Sequence, residues 1–304
     1  MRHICTTLIV VILALATAKA ELNGNDDFNG SALTTNGWLH WVKGVGLLTQ
    51  TNQLLLYQTA GAPTANDADL IVWQPEVGDF AKDWSVQLDV NVPTMSFQTG
   101  QGVQIALVAL RADATLSFSN AMTVFLGASE GFRGFESGMF VQGVKVNSES
   151  SGSSSTAGAV RLRWQAASRT LTADYDPDGA AGGYTWTTLV SRTIGPAAFD
   201  WGLSATSKFQ VAVFGNSQNL QVQPSVGVSA DNFICYPRLR ARPGAGTVVL
   251  SWSTNAAGFA LQARSPIVQS QSWTNLIQSS GTVGSDYQIE DFVTLGEKAY
   301  RLRR

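Results

Sequence analysis

The segment WSVQLDVNV, Trp84–Val92, decides the class of fold. Apolar residues occupy every second position of this segment, and polar residues occupy the positions between them. Successive side chains of a β-strand point to opposite faces of the sheet, so a period of two predicts a strand with one buried face. The same alternation recurs in Val160–Trp164 and in Leu171–Tyr175.

Other strands are indicated by continuous apolar runs. Such runs suit strands that are covered on both faces or that face a second sheet, and they occur at Leu54–Tyr57, Leu70–Trp73, Val103–Leu110 and Phe209–Phe214. No window of helical length shows an apolar stripe with a period of 3.6 residues. We therefore predict an all-β protein in which two antiparallel sheets pack face to face.

Two stretches between the strands read as loops. The serine run Ser148–Gly158 has the composition of an exposed, mobile loop. The segment Asp174–Gly183 contains Asp-Pro-Asp-Gly and predicts the long loop of a hairpin.

The N-terminus predicts export. Arg2 precedes an apolar run from Leu8 to Ala16, and small residues stand at the two positions that define a cleavage point after Ala20. The run is too short to span a bilayer, and no second run of this kind follows. We expect residues 1–20 to be a signal peptide and the mature protein to be secreted or periplasmic.

Composition excludes several classes of function. Without Arg2 and Lys19 the mature chain has 18 basic and 22 acidic residues, so its net charge is near −4 and does not favour nucleic acid. Cys235 is the only cysteine of the mature chain, which rules out an intramolecular disulfide, and His40 is its only histidine. Neither a zinc site nor an organic cofactor site is indicated.

Residues 24–236 resemble the concanavalin A-like lectin/glucanase superfamily of the laminarinase type. The resemblance rests on Asp26–Gly30 with Trp38 shortly after, and on the closing Ala230–Phe233. It implies a jelly-roll domain, taken as residues 21–236, in which these two segments are strands paired side by side.

Residues 237–304 are similar to the short fibronectin type III-like modules of secreted bacterial proteins. LSW at 250–252, GFALQ at 258–262, SWTNL at 272–276 and YRLR at 300–303 carry the similarity. It implies a small β-sandwich whose core contains Trp252 and Tyr300.

Catalysis is not favoured, although the sequence leaves it undecided. The resemblance implies that a glucanase of this fold would carry Glu-x-Asp-x-x-Glu on one strand, and this spacing is absent. Glu130 and Glu136 lie near Gly131 and Gly134, which favours a loop over a preorganised carboxylate pair.

Binding residues are sought among the tryptophans at strand ends or in loops, namely Trp73, Trp186 and Trp201. An exposed indole ring there would serve as a platform for a sugar ring. The alternative for each is an aromatic residue at the edge of the core.

Calcium has two candidate sites. Asp174, Asp176 and Asp178 alternate before Gly179 like the first half of a calcium loop, or they are turn formers of a hairpin. The resemblance implies a structural calcium between Asp26 or Asp27 and Asp231, with turn capping as the alternative.

The sequence thus predicts a secreted, non-catalytic module that binds a polysaccharide or a cell-surface glycan, with structural calcium. Two alternatives remain open. One is a jelly-roll glycoside hydrolase with an unrecognised carboxylate pair, and the other is a purely structural extracellular protein. Nothing in the sequence determines the oligomeric state.

Overall fold

The architecture is taken from a computed structural model, which describes residues 25–303 except 27, 29, 31, 34–37, 52–53, 74–77, 81–82, 112–118, 180–183, 196–198, 205–206, 238, 245–246, 254–259, 265–272, 277–280, 284–285 and 293–297. Residues 1–20 and Asp27 therefore lie outside the described residues. The described chain divides into two compact units, Asn25–Cys235 and the residues from Tyr236 onward. No helix among the described residues is long and apolar enough to cross a membrane.

Among its described residues, the N-terminal unit has sixteen strands and a short 3-10 helix at Pro224–Val226. The strands are β1 Asn25–Asp26, β2 Trp38–Lys43, β3 Gly46–Gln50, β4 Leu55–Thr59, β5 Asp67–Trp73, β6 Gly78–Asp79, β7 Trp84–Asn91, β8 Gly102–Arg111, β9 Asn120–Ser129, β10 Phe132–Val141, β11 Val144–Gly152, β12 Ala157–Gln165, β13 Thr170–Asp176, β14 Thr187–Thr193, β15 Lys208–Gln218 and β16 Ser229–Pro237.

These strands form two eight-stranded sheets. Sheet I has the order β14-β13-β12-β7-β16-β4-β3, with β1 also paired to β16, and sheet II has the order β11-β10-β9-β8-β15-β5-β2, with β6 also paired to β15. The pairings are antiparallel, for example between β7 and β12 and between β8 and β15. The predicted all-β, two-sheet jelly-roll sandwich is confirmed.

The core lies between the two sheets. Val86, Leu88 and Val90 of β7 and Ile105 and Leu107 of β8 are buried there, as the period of two requires. The segments at the two ends of the unit also pair as the resemblance implied, because Asp26 of β1 lies opposite Phe233 of β16.

The serine run is a correction to the sequence prediction. Residues 148–152 belong to β11 and residues 157–158 to β12, so only 153–156 connect the two strands. Strand β11 is the edge of sheet II, where one side of the strand is paired and its side chains are largely exposed. Small polar residues are tolerated at such an edge, and pairing with β10 decides the conformation.

The C-terminal unit contains two small sheets. Its strands are β17 Arg240–Pro243, β18 Thr247–Ser253, β19 Ala260–Arg264, β20 Thr274–Asn275, β21 Gly281–Val283, β22 Asp286–Phe292 and β23 Ala299–Arg303. Sheet III has the order β17-β18-β22-β21, and sheet IV has the order β20-β19-β23. Trp252 is buried with Leu250, Leu261 and Ile289, and Tyr300 packs against this cluster.

Candidate functional site

A groove of about 730 Å³ runs over the outer face of sheet II. One row of paired residues crosses seven of the eight strands of the sheet, from β11 to β2: Ser150, Glu136, Phe125, Ala106, Phe214, Leu70 and Trp41. At roughly 4.8 Å between neighbouring strands, the row is about 29 Å long. Glu136, Phe125, Phe214 and Trp41 of this row line the groove, whereas Ala106 and Leu70 are buried.

The aromatic groups of the groove differ in exposure. Trp41 is 37% exposed on the edge strand β2, whereas Phe125 is only 8% exposed. Phe132, Phe140 and Phe214 also line the groove and are half-buried. Trp41 and the half-buried rings can thus contact a ligand.

Glycines shape the surface next to this row. An added Cβ on Gly127 would lie 3.1 Å from the ring of Phe125, so this ring lies close to the backbone at Gly127. On Gly134 it would lie 2.3 Å from the carbonyl oxygen of Ser151, so only glycine allows β11 to approach β10 this closely. At these two positions no side chain projects from the sheet.

The polar groups of the groove are mainly uncharged. Gln104, Thr123, Asn216 and Gln218 contribute amides and a hydroxyl, and Lys43 lies at the β2 end. Glu136 Oε1 accepts hydrogen bonds from Lys145 Nζ at 3.1 Å and from Ser148 Oγ at 2.8 Å. Glu136 is the single carboxylate among the described residues that line the groove.

The sequence did not single out this groove. Its residues come from strands that are distant in the chain, and the sequence does not show which strands are neighbours. One usable signal was the glycine spacing of Gly127, Gly134 and Gly138, which indicates close backbone approach; the structure places these glycines in β9 and β10 and not in the expected loop. Glu130 lies in the turn after β9 and does not line the groove with Glu136.

Two of the three predicted tryptophan platforms are wrong. Trp73 is 4% exposed, with its ring centroid 4.7 Å from that of Trp38, and Trp201 is 1% exposed beside Phe209. Strand ends in this sandwich still lie between the sheets, and their rings fill the core there. Neither ring can stack on a sugar from solvent.

Trp186 is half-buried and lies against other side chains. The guanidinium carbon of Arg161 is 4.2 Å from the centre of its ring, and the ring of Tyr184 stacks on it at 5.3 Å. Arg161 belongs to β12 of sheet I, so Trp186 does not contribute to the groove on sheet II.

Asp174, the first aspartate of the predicted calcium loop, is bound to other side chains. Asp174 is buried and accepts hydrogen bonds from Arg161, Arg163 and Thr188. Burial opposes ionisation of Asp174, but the hydrogen bond from Arg163 and the two arginine charges outweigh it, so its pKa is lowered. The carboxylate of Asp174 therefore forms ion pairs with two arginines, Arg161 and Arg163.

Asp26 serves as a turn cap. Its Oδ1 accepts the backbone N–H of Phe28 at 2.8 Å, and its Oδ2 accepts the indole N–H of Trp38 at 2.8 Å. The carboxylate thereby orients a core tryptophan, which is the alternative that the sequence left open for this residue. Asp231 Oδ1 accepts the N–H of Asn232 at 2.7 Å.

A small pocket of about 170 Å³ gathers one aspartate from each predicted calcium set. Asp178 and Asp231 line it together with Asp89. Burial raises the pKa of Asp89, and the charge of Asp176 raises it further. The hydrogen bond and charge of Asp176 also raise the pKa of Asp178. Within the described parts of the chain, however, no three acidic, histidine or cysteine side chains are placed to hold one metal ion.

Comparison with known proteins finds fold similarity only. No family model matches the chain. No curated protein matches it either. Lectin II from Ulex europaeus is 11% identical with a TM-score of 0.46, covering 71% of this chain and 99% of the lectin. The carbohydrate recognition domain of Emp46p in its potassium-bound form is 10% identical with a TM-score of 0.44, covering 70% and 96%. The exoplasmic/lumenal domain of VIP36, bound to Ca²⁺ and Man2, is 11% identical with a TM-score of 0.41, covering 70% and 88%.

Proposed function

We propose that this chain is an exported, non-catalytic glycan-binding protein that binds a polysaccharide or cell-surface glycan in the groove on sheet II. The observation that carries the proposal is the row of residues from Ser150 to Trp41 across seven strands. Beside this row, the groove combines the partly exposed aromatic rings of Trp41, Phe140 and Phe214 with the amide side chains of Gln104, Asn216 and Gln218.

The chemistry of the groove suits sugars. The faces of pyranose rings are apolar, so they pack on aromatic side chains such as Trp41 and Phe214. Hydroxyl groups of the sugar would hydrogen-bond to Gln104 and Gln218, whose amides both donate and accept. Because Lys145 is paired with Glu136, much of the surface presents no net charge.

Glycoside hydrolysis remains the second candidate and is less well supported by the groove. Such enzymes use two carboxyl groups, about 5–5.5 Å apart in retaining and about 6.5–9.5 Å apart in inverting enzymes. Among the described residues of the groove, Glu136 is the single carboxylate and is bonded to Lys145 and Ser148.

A glycan array with the mature chain tests the proposal. We expect retention of at least one polysaccharide, with affinity reduced about tenfold or more by Trp41→Ala, because stacking and burial of an indole contribute a few kcal/mol. Leu39→Ala is the matched control, since Leu39 is also exposed on β2 but does not line the groove. Equal loss in both variants, or no retained glycan, would favour the structural alternative. Release of reducing sugar would favour the hydrolase.

A further inference from the structure

One face of sheet IV carries a tryptophan that contacts two arginines. The guanidinium carbon of Arg264 lies 5.0 Å from the centre of the Trp273 ring, and that of Arg301 lies 4.3 Å from it. Both distances are within the range of a cation–π interaction. All three side chains are partly exposed.

The strand register places these groups together. Gln262 of β19 lies opposite Arg301 of β23, and Arg264 follows Gln262 by two positions, so the three residues share a face. The other face of the sheet contributes Leu261 and Leu302 to the core of the unit. The arginine face is therefore the outer face of sheet IV.

Hydrogen bonds between side chains of three strands, β23, β19 and β20, fix the orientation of these side chains. Arg301 Nε donates to Gln262 Oε1 at 2.8 Å, and Gln262 Nε2 donates to Asn275 Oδ1 at 2.8 Å. Trp273 directly precedes β20, which contains Asn275. The guanidinium of Arg301 is thus oriented before any ligand arrives.

The charge of the chain is divided unevenly between its two parts. Residues 236–304 contain eight basic and four acidic residues, whereas residues 21–235 contain ten basic and eighteen acidic residues. Within the described residues, no carboxylate pairs with Arg264, and its Nε has no hydrogen-bond partner. Positive charge is therefore concentrated in the C-terminal part, and Arg264 is not neutralised there by a described acid.

We propose that the outer face of sheet IV, defined by Gln262, Arg264, Trp273, Asn275 and Arg301, is a second binding site that takes a carboxylate- or sulfate-bearing polysaccharide. Guanidinium groups bind such anions with planar, paired hydrogen bonds. The amide side chains of Gln262 and Asn275 suit the hydroxyls of the same polymer. This site goes beyond the groove on sheet II because it selects a charged glycan.

Binding by the mature full-length chain tests this site. The probes are polygalacturonate, dextran sulfate, neutral dextran and vesicles of anionic phospholipid. We expect binding to at least one of the two anionic polysaccharides, weakened by rising salt, and no binding to neutral dextran at this face. Arg264→Gln and Arg301→Gln should each weaken binding about tenfold, and Arg301→Lys should weaken it as well, because lysine keeps the charge but not the planar fork.

Arg242→Gln is the matched control, since Arg242 is exposed on β17 of sheet III in the same unit. Unchanged binding in this variant, and in Trp41→Ala, supports the site and separates it from the groove. The proposal is overturned if the wild type binds neither anionic polysaccharide, if it binds only the vesicles, or if Arg242→Gln weakens binding as much as Arg264→Gln. Loss of anionic binding in Trp41→Ala alone would place that polymer in the groove and would also overturn it.

Discussion

His40 Nδ1 lies 3.0 Å from Asp69 Oδ2, although the two residues are 29 positions apart in the chain. Asp69 is fully buried on β5 and also accepts the backbone N–H of Leu48 at 2.7 Å. Through both contacts, Asp69 links the edge strand β2 of sheet II to β3 of sheet I. The sequence identified His40 as the only histidine of the mature chain but not its carboxylate partner.

The first prediction concerns the pH dependence of stability. Burial raises the pKa of Asp69, and the bonds from Leu48 and His40 only partly offset this effect. At pH values between the unfolded-state pKa and the folded-state pKa of Asp69, the folded state therefore binds more protons than the unfolded state. The stabilising effect of protonation is present at the acidic end of that interval and is lost as the pH rises through the folded pKa.

Replacing Asp69 by asparagine removes this ionisation while keeping an acceptor oxygen. The decline in the free energy of unfolding with rising pH should become shallower by up to about 1.4 kcal/mol per pH unit. Urea denaturation at a series of acidic pH values measures the slope. Asp200→Asn, on an exposed carboxylate, should keep the wild-type slope. A wild-type slope in Asp69→Asn would refute the linkage.

A second prediction concerns the approach of β11 to β10. A Cβ on Gly134 would lie 2.3 Å from the carbonyl oxygen of Ser151, so Gly134→Ala must displace the edge strand. Overpacking of this kind costs about 1–3 kcal/mol of unfolding free energy. Gly195→Ala, which meets no atom within 4 Å, should be close to neutral. Thermal denaturation of both variants decides the matter, and similar melting temperatures would contradict the close approach.

A third prediction concerns calcium, which we retain as a proposal. If an ion binds between Asp26 or Asp27 and Asp231, or in the loop that contains Asp174, Asp176 and Asp178, millimolar calcium should raise the melting temperature relative to excess chelator. At about a hundred times the dissociation constant, the gain is roughly 2.7 kcal/mol. Asp231→Ala should abolish the rise if the first site is the true one, and Asp176→Ala should abolish it only if the loop is. A rise that survives both substitutions, or no rise in the wild type, would exclude both sites.

A fourth prediction concerns the division into residues 21–236 and 237–304, which we propose as separate folding domains. Trp252 is buried in a small core that contains Leu250, Leu261 and Ile289. Trp252→Ala should therefore destabilise the C-terminal domain by about 3–5 kcal/mol. Calorimetry should show two transitions, of which only one moves in the variant. A single transition that shifts as a whole would argue against independent domains.

The sequence predicted those features that depend on one strand at a time. Trp84 and Trp164 are buried because alternation places them on the inner face, whereas the burial of Trp252 was expected from a resemblance. The pairing of β1 with β16 followed from a resemblance, not from alternation.

The features that the sequence could not predict depend on which strands and sheets are neighbours in the fold. Trp73 and Trp201 lie at the ends of strands or in loops, yet the second sheet covers both. Trp41, Phe214 and Glu136 meet in one row only because β15 lies between β8 and β5 in sheet II. The fibronectin-like character of the C-terminal unit and the signal peptide remain predictions.

The central claim is that a glycan binds along the row on sheet II, and hydrogen–deuterium exchange with a polysaccharide retained on the array tests it most directly. The account predicts slower exchange in peptides from β2, β9, β10 and β15, with little change in β7 and β12 of sheet I. That protection should disappear in Trp41→Ala and persist in Leu39→Ala. Protection centred on sheet I around Asp89, or binding without protection on sheet II, would contradict the account.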